Sequence, residues 1–390
     1  MTSVRPLFRK LVVISRAGWI LEGGEKRFQD NDGRYLDGLA RFFEQVIIIA
    51  REFANDGTTV NYGFRFSSHN IQLVHGMESL IVSRPFRTLA RIWKAMFEIA
   101  GADVVFSFVN TARGSVYLLL ARILGKKTIA YCGTDRDALF RSEGRSRVQR
   151  HLFLWLEHLA MHHAHLRVVT GPRLFAKYKP HGLTTMTAPV SPLLTFASPA
   201  RELPTYGSAR PFRLLCVAHL RRQKNLECIL EAAKLLQQSG ADFYLTIVGD
   251  GDRRRALEAL TSELGLEDRV RFHGYVNNPQ ELARLYESHE FFLFASTVEG
   301  FPRAIWEAIH FELYVVCVKV GGIEELFGNG EVQIVPYPDP KLLASSIVEA
   351  TRHPKTTRTA TESAKRKMRS LFPQDAINQI EEFLIALKAQ

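Results

Sequence analysis

Short apolar runs alternate with amphipathic stretches along most of the chain. The first run, LVVISRAGW at 11–19, has strand length. After it come ILEGGEKRF, with Gly23-Gly24, and a helical pattern, YLDGLARFFEQVIIIAREFANDG, whose VIIIA portion reads equally well as a strand. ADVVFSFV (102–109) and KTIAYCG (127–133) are strands, and SVYLLLARILG (115–125) between them is a helix stopped at Gly125. A long helical pattern from Arg136 to His165 leads to a strand, RVVTG (167–171). Residues 196–211, FASPARELPTYGSARP, lose all periodicity and read as a linker. A second alternating series then starts at FRLLCVAHL (212–220) and runs through FYLTIVGDGD, VRFHGYV and the helices between them. An amphipathic helix, QDAINQIEEFLIALKAQ, follows Pro373. Strands alternating with helices in two series predict an α/β protein of two domains, 1–200 and 211–373.

The densest signal is residues 290–326, EFFLFASTVEGFPRAIWEAIHFELYVVCVKVGGIEEL. An apolar strand (291–295) is broken by STVEGFP, a helix runs from Pro302 to about Phe311, and YVVCVKV is a second strand: one βαβ unit. Gly300 permits close backbone approach, and Pro302 suits a first helical turn. The free N–H groups at that helix start make an anion site. Glu299 precedes it and Glu307 lies inside it, about 7 Å further along the axis at ~1.5 Å per residue.

Charge adds a second asymmetry. The chain carries a net +11. Residues 1–209 hold 28 Lys and Arg against 16 Asp and Glu, and the remainder is close to neutral. Such a basic half suits an anionic membrane, nucleic acid or anionic substrate. No nucleic-acid motif accompanies it, and the basic residues are spread over many elements. Within it, residues 84–99 set Arg84, Arg87, Arg91 and Lys94 beside Phe86, Leu89, Trp93 and Phe97. This is either a basic amphipathic helix for an anionic membrane surface or an ordinary half-buried helix. No apolar run approaches the ~20 residues of a membrane span. Cys132, Cys216, Cys228 and Cys317 show neither metal nor disulfide spacing, which fits a cytoplasmic protein. His158 and His162 have helical ligand spacing without a third ligand, so solvated or core histidines are expected there.

The Glu-x7-Glu spacing with Gly-Phe-Pro after the first Glu resembles the signature of family 4 glycosyltransferases. These are retaining, nucleotide-sugar-dependent enzymes of the GT-B fold. The resemblance implies two Rossmann-like domains facing each other across a cleft, with residues 374–390 crossing back to the first. It gives Glu299 the hydroxyls of the donor sugar and Glu307 the ribose, and turns the backbone of Gly300, Phe301 and Pro302 toward the sugar and diphosphate. VAHLRRQKN (217–225) is similar to the family's Val-Gly-Arg-Leu-x-x-x-Lys-Gly. Lys224 matches the diphosphate-gripping Lys. His219 stands where Arg is usual and Asn225 where Gly is usual, so Arg221 or Arg222 substitutes as the second cation if His219 stays neutral. IVGDGD supplies the Val-Gly-x-Gly turn (Gly249, Gly251), and FHGYV supplies backbone near the base, at Tyr275 and Val276. Gly24 is carried over as the phosphate-side glycine of the first domain. AYCGTDRD is similar to a strand end His-Gly-x-Asp, with Cys132 in place of His; Asp135 then faces donor or acceptor, or caps a helix.

The function implied is transfer of a sugar from a nucleotide diphosphate sugar, a UDP-sugar foremost, to a hydroxyl of a glycan or lipid-linked acceptor in polysaccharide biosynthesis. Glu299, Lys224 and Asp135 are its catalytic candidates. No cofactor, metal, nucleic acid or obligate protein partner is implied, and the place is the inner face of the cytoplasmic membrane. The competing readings are a nucleotide-sugar isomerase on the same fold, such as a UDP-GlcNAc 2-epimerase, and a transferase acting on a small soluble acceptor.

Overall fold

A computed structural model describes residues 6–54, 62–76, 85–137, 140, 146–179, 182–187, 191, 193, 211–328, 330–371 and 376–389. Arg84 and the aperiodic stretch 196–210 lie outside these residues. By internal contacts the chain divides into Met1–Val190 with Gln374–Gln390, and Ser191–Pro373.

In the first unit, β1 (Phe8–Glu22), β2 (Glu25–Phe28), β3 (Phe43–Glu52), β4 (Ile71–His75), β5 (Val104–Phe108), β6 (Lys127–Cys132), β7 (Leu166–Thr170) and β8 (Thr184–Thr187) form one sheet. Its order is β4-β3-β1-β5-β6-β7-β8, parallel throughout, with β2 folded back on β1. Helices α1 (Asp30–Ala40), α2 (Pro85–Ala100), α3 (Ala112–Ile123), α4 (Arg147–His163) and α5 (Pro172–Tyr178) connect the strands. Parallel strands must be covered on both faces. On one side Leu11, Val13, Ile48 and Phe106 pack with α1; on the other Val12, Ile14, Ile47 and Val105 pack with α2 and α3.

The second unit is a purely parallel sheet of β9 (Phe212–Val217), β10 (Phe243–Val248), β11 (Val270–Gly274), β12 (Phe291–Phe294), β13 (Tyr314–Val318) and β14 (Gln333–Val335), in the order β11-β10-β9-β12-β13-β14. Its helices are α6 (Leu226–Gln238), α7 (Arg254–Glu263), α8 (Pro279–Glu287), α9 (Arg303–His310), α10 (Ile323–Leu326), α11 (Pro340–Arg352) and α12 (Pro354–Leu371). One face is sealed by α6, α7 and α11, and the other by α8, α9 and α12. The last helix, α13 (Ala376–Ala389), belongs to the first unit, where Ile380 and Leu384 enter the core beside Leu36 and Phe43.

One expectation from the sequence changes here, an open one is decided, and one helix appears that the pattern did not announce. β1 runs for 15 residues, and Gly23-Gly24 close a hairpin with β2 instead of opening a βα loop. Both glycines have positive φ, +58° and +82°, as a two-residue primed turn needs. The helical pattern at 35–57 divides into α1 and β3, because VIIIA pairs on both edges, with β1 and with β4. α12 has almost no apolar periodicity to read: it buries small residues, Ala360 and Ala364, with Met368. Its buried Lys365 is tied to Glu312 at 2.6 Å.

Candidate active site

In the second sheet β9 and β12 are neighbours, yet the chain leaves β9 toward β10 and leaves β12 toward β13, on opposite sides. The loops leaving the carboxyl ends of such a pair diverge and open a crevice where ligands of this architecture bind. Loop 218–225 leaves β9 and loop 295–302 leaves β12.

Glycines set the first loop. Ala218 N–H donates to Val248 O at 3.0 Å, Leu220 N–H donates to Asp250 O at 3.0 Å, and Gly249 N–H donates to Gly274 O at 2.8 Å. A Cβ at Gly249 would lie 1.9 Å from Ala218 O, and one at Gly251 2.4 Å from Leu220 O. Gly249 also has a φ of +134°. Only glycine lets these backbones touch. Beyond them a 3₁₀ turn, Arg222–Lys224, ends at Asn225 with φ +49°. Asn tolerates this left-handed position better than other residues with side chains, which explains its standing where the family pattern has glycine.

The second loop is laced to the first. Thr297 N–H donates to Gln223 O at 2.9 Å, and Ser296 Oγ donates to the same oxygen at 3.2 Å. This brings Lys224 Nζ into an ion pair with Glu299 Oε1, the ammonium lying 5.7 Å from the ring centre of Phe294. Gly300 and Phe301 are held from behind by Gly321, whose Cβ would stand 2.9 Å from Pro302 Cδ. Phe301 itself packs on Trp306, ring centres 4.8 Å apart. Pro302 caps α9 without a side-chain hydrogen bond to the first turn. The sheet thus gathers Lys224, His219, Glu299, Gly300 and the start of α9.

His219 is held neutral. Burial lowers its pKa to about 4, helped by the nearby charges of Arg221, Lys224 and Arg303. A cation's part in this loop therefore falls to other residues. Arg222 is exposed on the turn. Arg303, the first residue of α9, was not singled out by its sequence position. It lies close enough to act on His219, and its Nε is 3.2 Å from Glu307 Oε1. A basic residue directly after Gly-Phe-Pro was the available signal.

Glu307 is 1% exposed. Ser191 Oγ donates to its Oε1 at 2.6 Å, and Tyr286 OH donates to its Oε2 at 2.8 Å. The carboxylate is an acceptor already engaged by two hydroxyls and one guanidinium. Burial and the neighbouring Glu307 push the Tyr286 phenol well above its ordinary pKa, so it remains a donor. Tyr275 is exposed and Val276 is core, both next to the Gly274 carbonyl that receives Gly249.

In the first unit, Gly24 sits at an exposed hairpin tip with open space around its Cβ position. Asp135 follows β6 and its Oδ1 accepts the N–H of Asp137 at 3.1 Å, a local turn contact. Cys132 is buried with its thiol pKa pushed well up, by burial and then by Glu157, so it is a packing residue there. Midway along β1, where its register with β3 shifts between Ile14 and Gly18, Arg16 grips Asp32 through two 2.9 Å bonds and lies 5.0 Å from the ring centre of Phe108. A lone Arg inside LVVISRAGW was the sign of it. His158 and His162 stack with ring centres 6.3 Å apart, and among the described residues no group of three or more His, Cys, Asp or Glu could hold a metal ion.

Residues 207–367 match the family model described as "Glycosyl transferases group 1". The amylovoran biosynthesis glycosyltransferase AmsK of Erwinia amylovora is 32% identical over 184 residues, 45% of each chain. The N-acetylgalactosamine-N,N'-diacetylbacillosaminyl-diphospho-undecaprenol 4-alpha-N-acetylgalactosaminyltransferase of Campylobacter jejuni is 36% identical over 127 residues, 32% of this chain and 33% of that one. These alignments span less than half the length of either relative. Among solved structures, HepE of Anabaena in complex with UDP and glucose superposes with a TM-score of 0.69 at 19% identity, covering 97% of this chain and 99% of that one. The chain thus has the GT-B fold, and its residues 207–367 match the glycosyl transferases group 1 model.

Proposed function

We propose that the chain transfers a sugar, with retention, from a nucleotide diphosphate sugar, a UDP-sugar, to a hydroxyl of a glycan or lipid-linked acceptor in polysaccharide biosynthesis. The observation that carries this reading is the Lys224–Glu299 pair, held at the divergence of β9 and β12 beside the uncapped start of α9. A leaving nucleoside diphosphate gains negative charge as the sugar bond breaks, and fixed cations and helix-start N–H groups stabilise that charge. Lys224 and Arg303 supply the cations. Glu299 accepts hydrogen bonds from donor-sugar hydroxyls, and Glu307 takes the ribose. Lys224 leaves Glu299 for the diphosphate when the donor binds. The departing phosphate oxygen takes the acceptor's proton, so positioning and charge stabilisation do the work, and no metal or other cofactor takes part. The acceptor lies at the inner face of the cytoplasmic membrane, with the basic helix of residues 84–99 on the anionic surface. The undecaprenol named for the Campylobacter relative and the UDP bound in HepE support the acceptor class and the donor.

The test is a thermal-shift series with UDP, GDP, ADP and their sugars, repeated on Glu299→Ala. UDP should raise the melting temperature of both proteins, while transfer to lipid extracts falls at least a hundredfold in the variant. Loss of UDP binding in Glu299→Ala, or release of a free epimerised sugar without any acceptor, would sink the reading.

A further inference from the structure

Helices α2, α3 and α4 each turn an apolar stripe outward. On α2 it is Leu89, Trp93 and Phe97, with Trp93 70% and Phe97 77% exposed. On α3 it is Val116 and Ile123; on α4 it is Val148, Leu152 and Trp155, the last 59% exposed. The spacings are those of one helical face, and the opposite faces are already spent on the core through Ala95, Ile99, Tyr117 and Ala160. Between the three helices lies a cavity of about 300 Å³ walled by Ile92, Val116, Leu120, Leu152, Phe153 and Leu156. The three stripes are therefore one apolar surface, larger than scattered exposed side chains explain. Its surroundings are positive. Over the three helices, 85–100, 112–123 and 147–163, the sequence has seven Lys and Arg against two Glu. Of those two, Glu98 is bound by Lys10 at 2.6 Å and Glu157 is buried under the Tyr178 hydroxyl. Lys94 and Arg147 are exposed. A second copy docked by symmetry would set one basic surround against the other, whereas an anionic lipid surface neutralises it.

We infer that α2, α3 and α4 together dock on an anionic bilayer, with Trp93, Phe97 and Trp155 entering the lipid and the cavity between the helices receiving a lipid acyl chain. This deepens the proposed membrane-face reading by placing the contact on three helices instead of one, and it rests on that reading. The full-length protein is floated with vesicles of phosphatidylcholine alone and with added phosphatidylglycerol. Binding should require phosphatidylglycerol, weaken with salt, and fall at least tenfold in both Trp93→Glu/Phe97→Glu and Leu152→Glu/Trp155→Glu. Chain-brominated lipid should quench tryptophan emission, and the quenching should be lost in Trp93→Phe/Trp155→Phe. The α2 and α4 variants should keep the wild-type melting temperature and UDP shift, which separates lost docking from lost folding. Full vesicle binding by the α4 variant overturns the inference. So does absence of vesicle binding together with a dimer in sedimentation that these variants dissociate. Vesicle binding that persists without any UDP shift upholds the inference and sinks the transfer reading alone.

Discussion

His219 sits among Arg221, Lys224 and Arg303, and burial with these charges keeps its pKa near 4. In the unfolded chain it returns to about 6.5. Between these values the unfolded state holds a proton that the folded state refuses, so stability rises with pH through this window and the gain is complete above it. The His219 residue is itself solvent-exposed, so screening holds the loss on lowering the pH from 7 to 5 to less than ~1 kcal/mol at this one site. Urea midpoints at the two pH values check it: the loss should be smaller in His219→Gln, and equal losses would show that other groups carry the acid sensitivity. A residue of this kind is half legible in sequence. Its departure from an arginine is visible, but the three cations that keep it neutral come from two loops whose meeting depends on Gln223 and on glycines 249 and 251.

At the scale of elements, Glu307 shows what a helix contributes that spacing does not. Eight residues on from Glu299 it reads as the second carboxylate of a pair, yet α8 and Ser191 close around it. A ribose hydroxyl reaching Oε1 would replace the Ser191 hydroxyl with a chemically equal donor. Ser191→Ala should therefore cost about 1 kcal/mol of stability while leaving UDP affinity intact or higher. Glu307→Ala should cost roughly 3 kcal/mol, since Arg303 and Tyr286 lose their shared acceptor. Denaturation and UDP titration of both variants decide it; Ser191→Ala weakening UDP as strongly as Glu307→Ala would remove the ribose from Glu307. The strands β9 to β13 and the helices between them were legible because their apolar runs are continuous and bounded by Gly and Pro, whereas β14 and α12 were not. β4 and β8 were not, being short strands beside β3 and β7 that borrow their order from those neighbours. The Gly23-Gly24 turn was misread because a glycine pair marks a turn without saying which elements it joins.

Over the whole molecule, the division of the sequence into two α/β series was readable from alternation alone, and the excess of basic residues was placed in the first series by counting. The return of α13 to the first unit came from the family resemblance, since an amphipathic helix does not name its partner. That helix buries Ile380, Leu384 and Leu387. At ~1.5–3 kcal/mol for each side chain, removing residues 376–389 should destabilise the first unit by roughly 5 kcal/mol. Calorimetry should then show an early transition, while the environment of Trp306 in the second unit melts as before; a single unchanged transition would refute it. The same helix imposes an order in time. It emerges from the ribosome about 190 residues after β8, which at ~5–20 residues per second is roughly 10 to 40 seconds later. For that interval the nascent first unit carries an open apolar seam beside Leu36 and Phe43, and every strand of the second unit is made before the seam can close. The half of the protein that is made first is the half that finishes last, and any chaperone that attends its synthesis should be found on that seam.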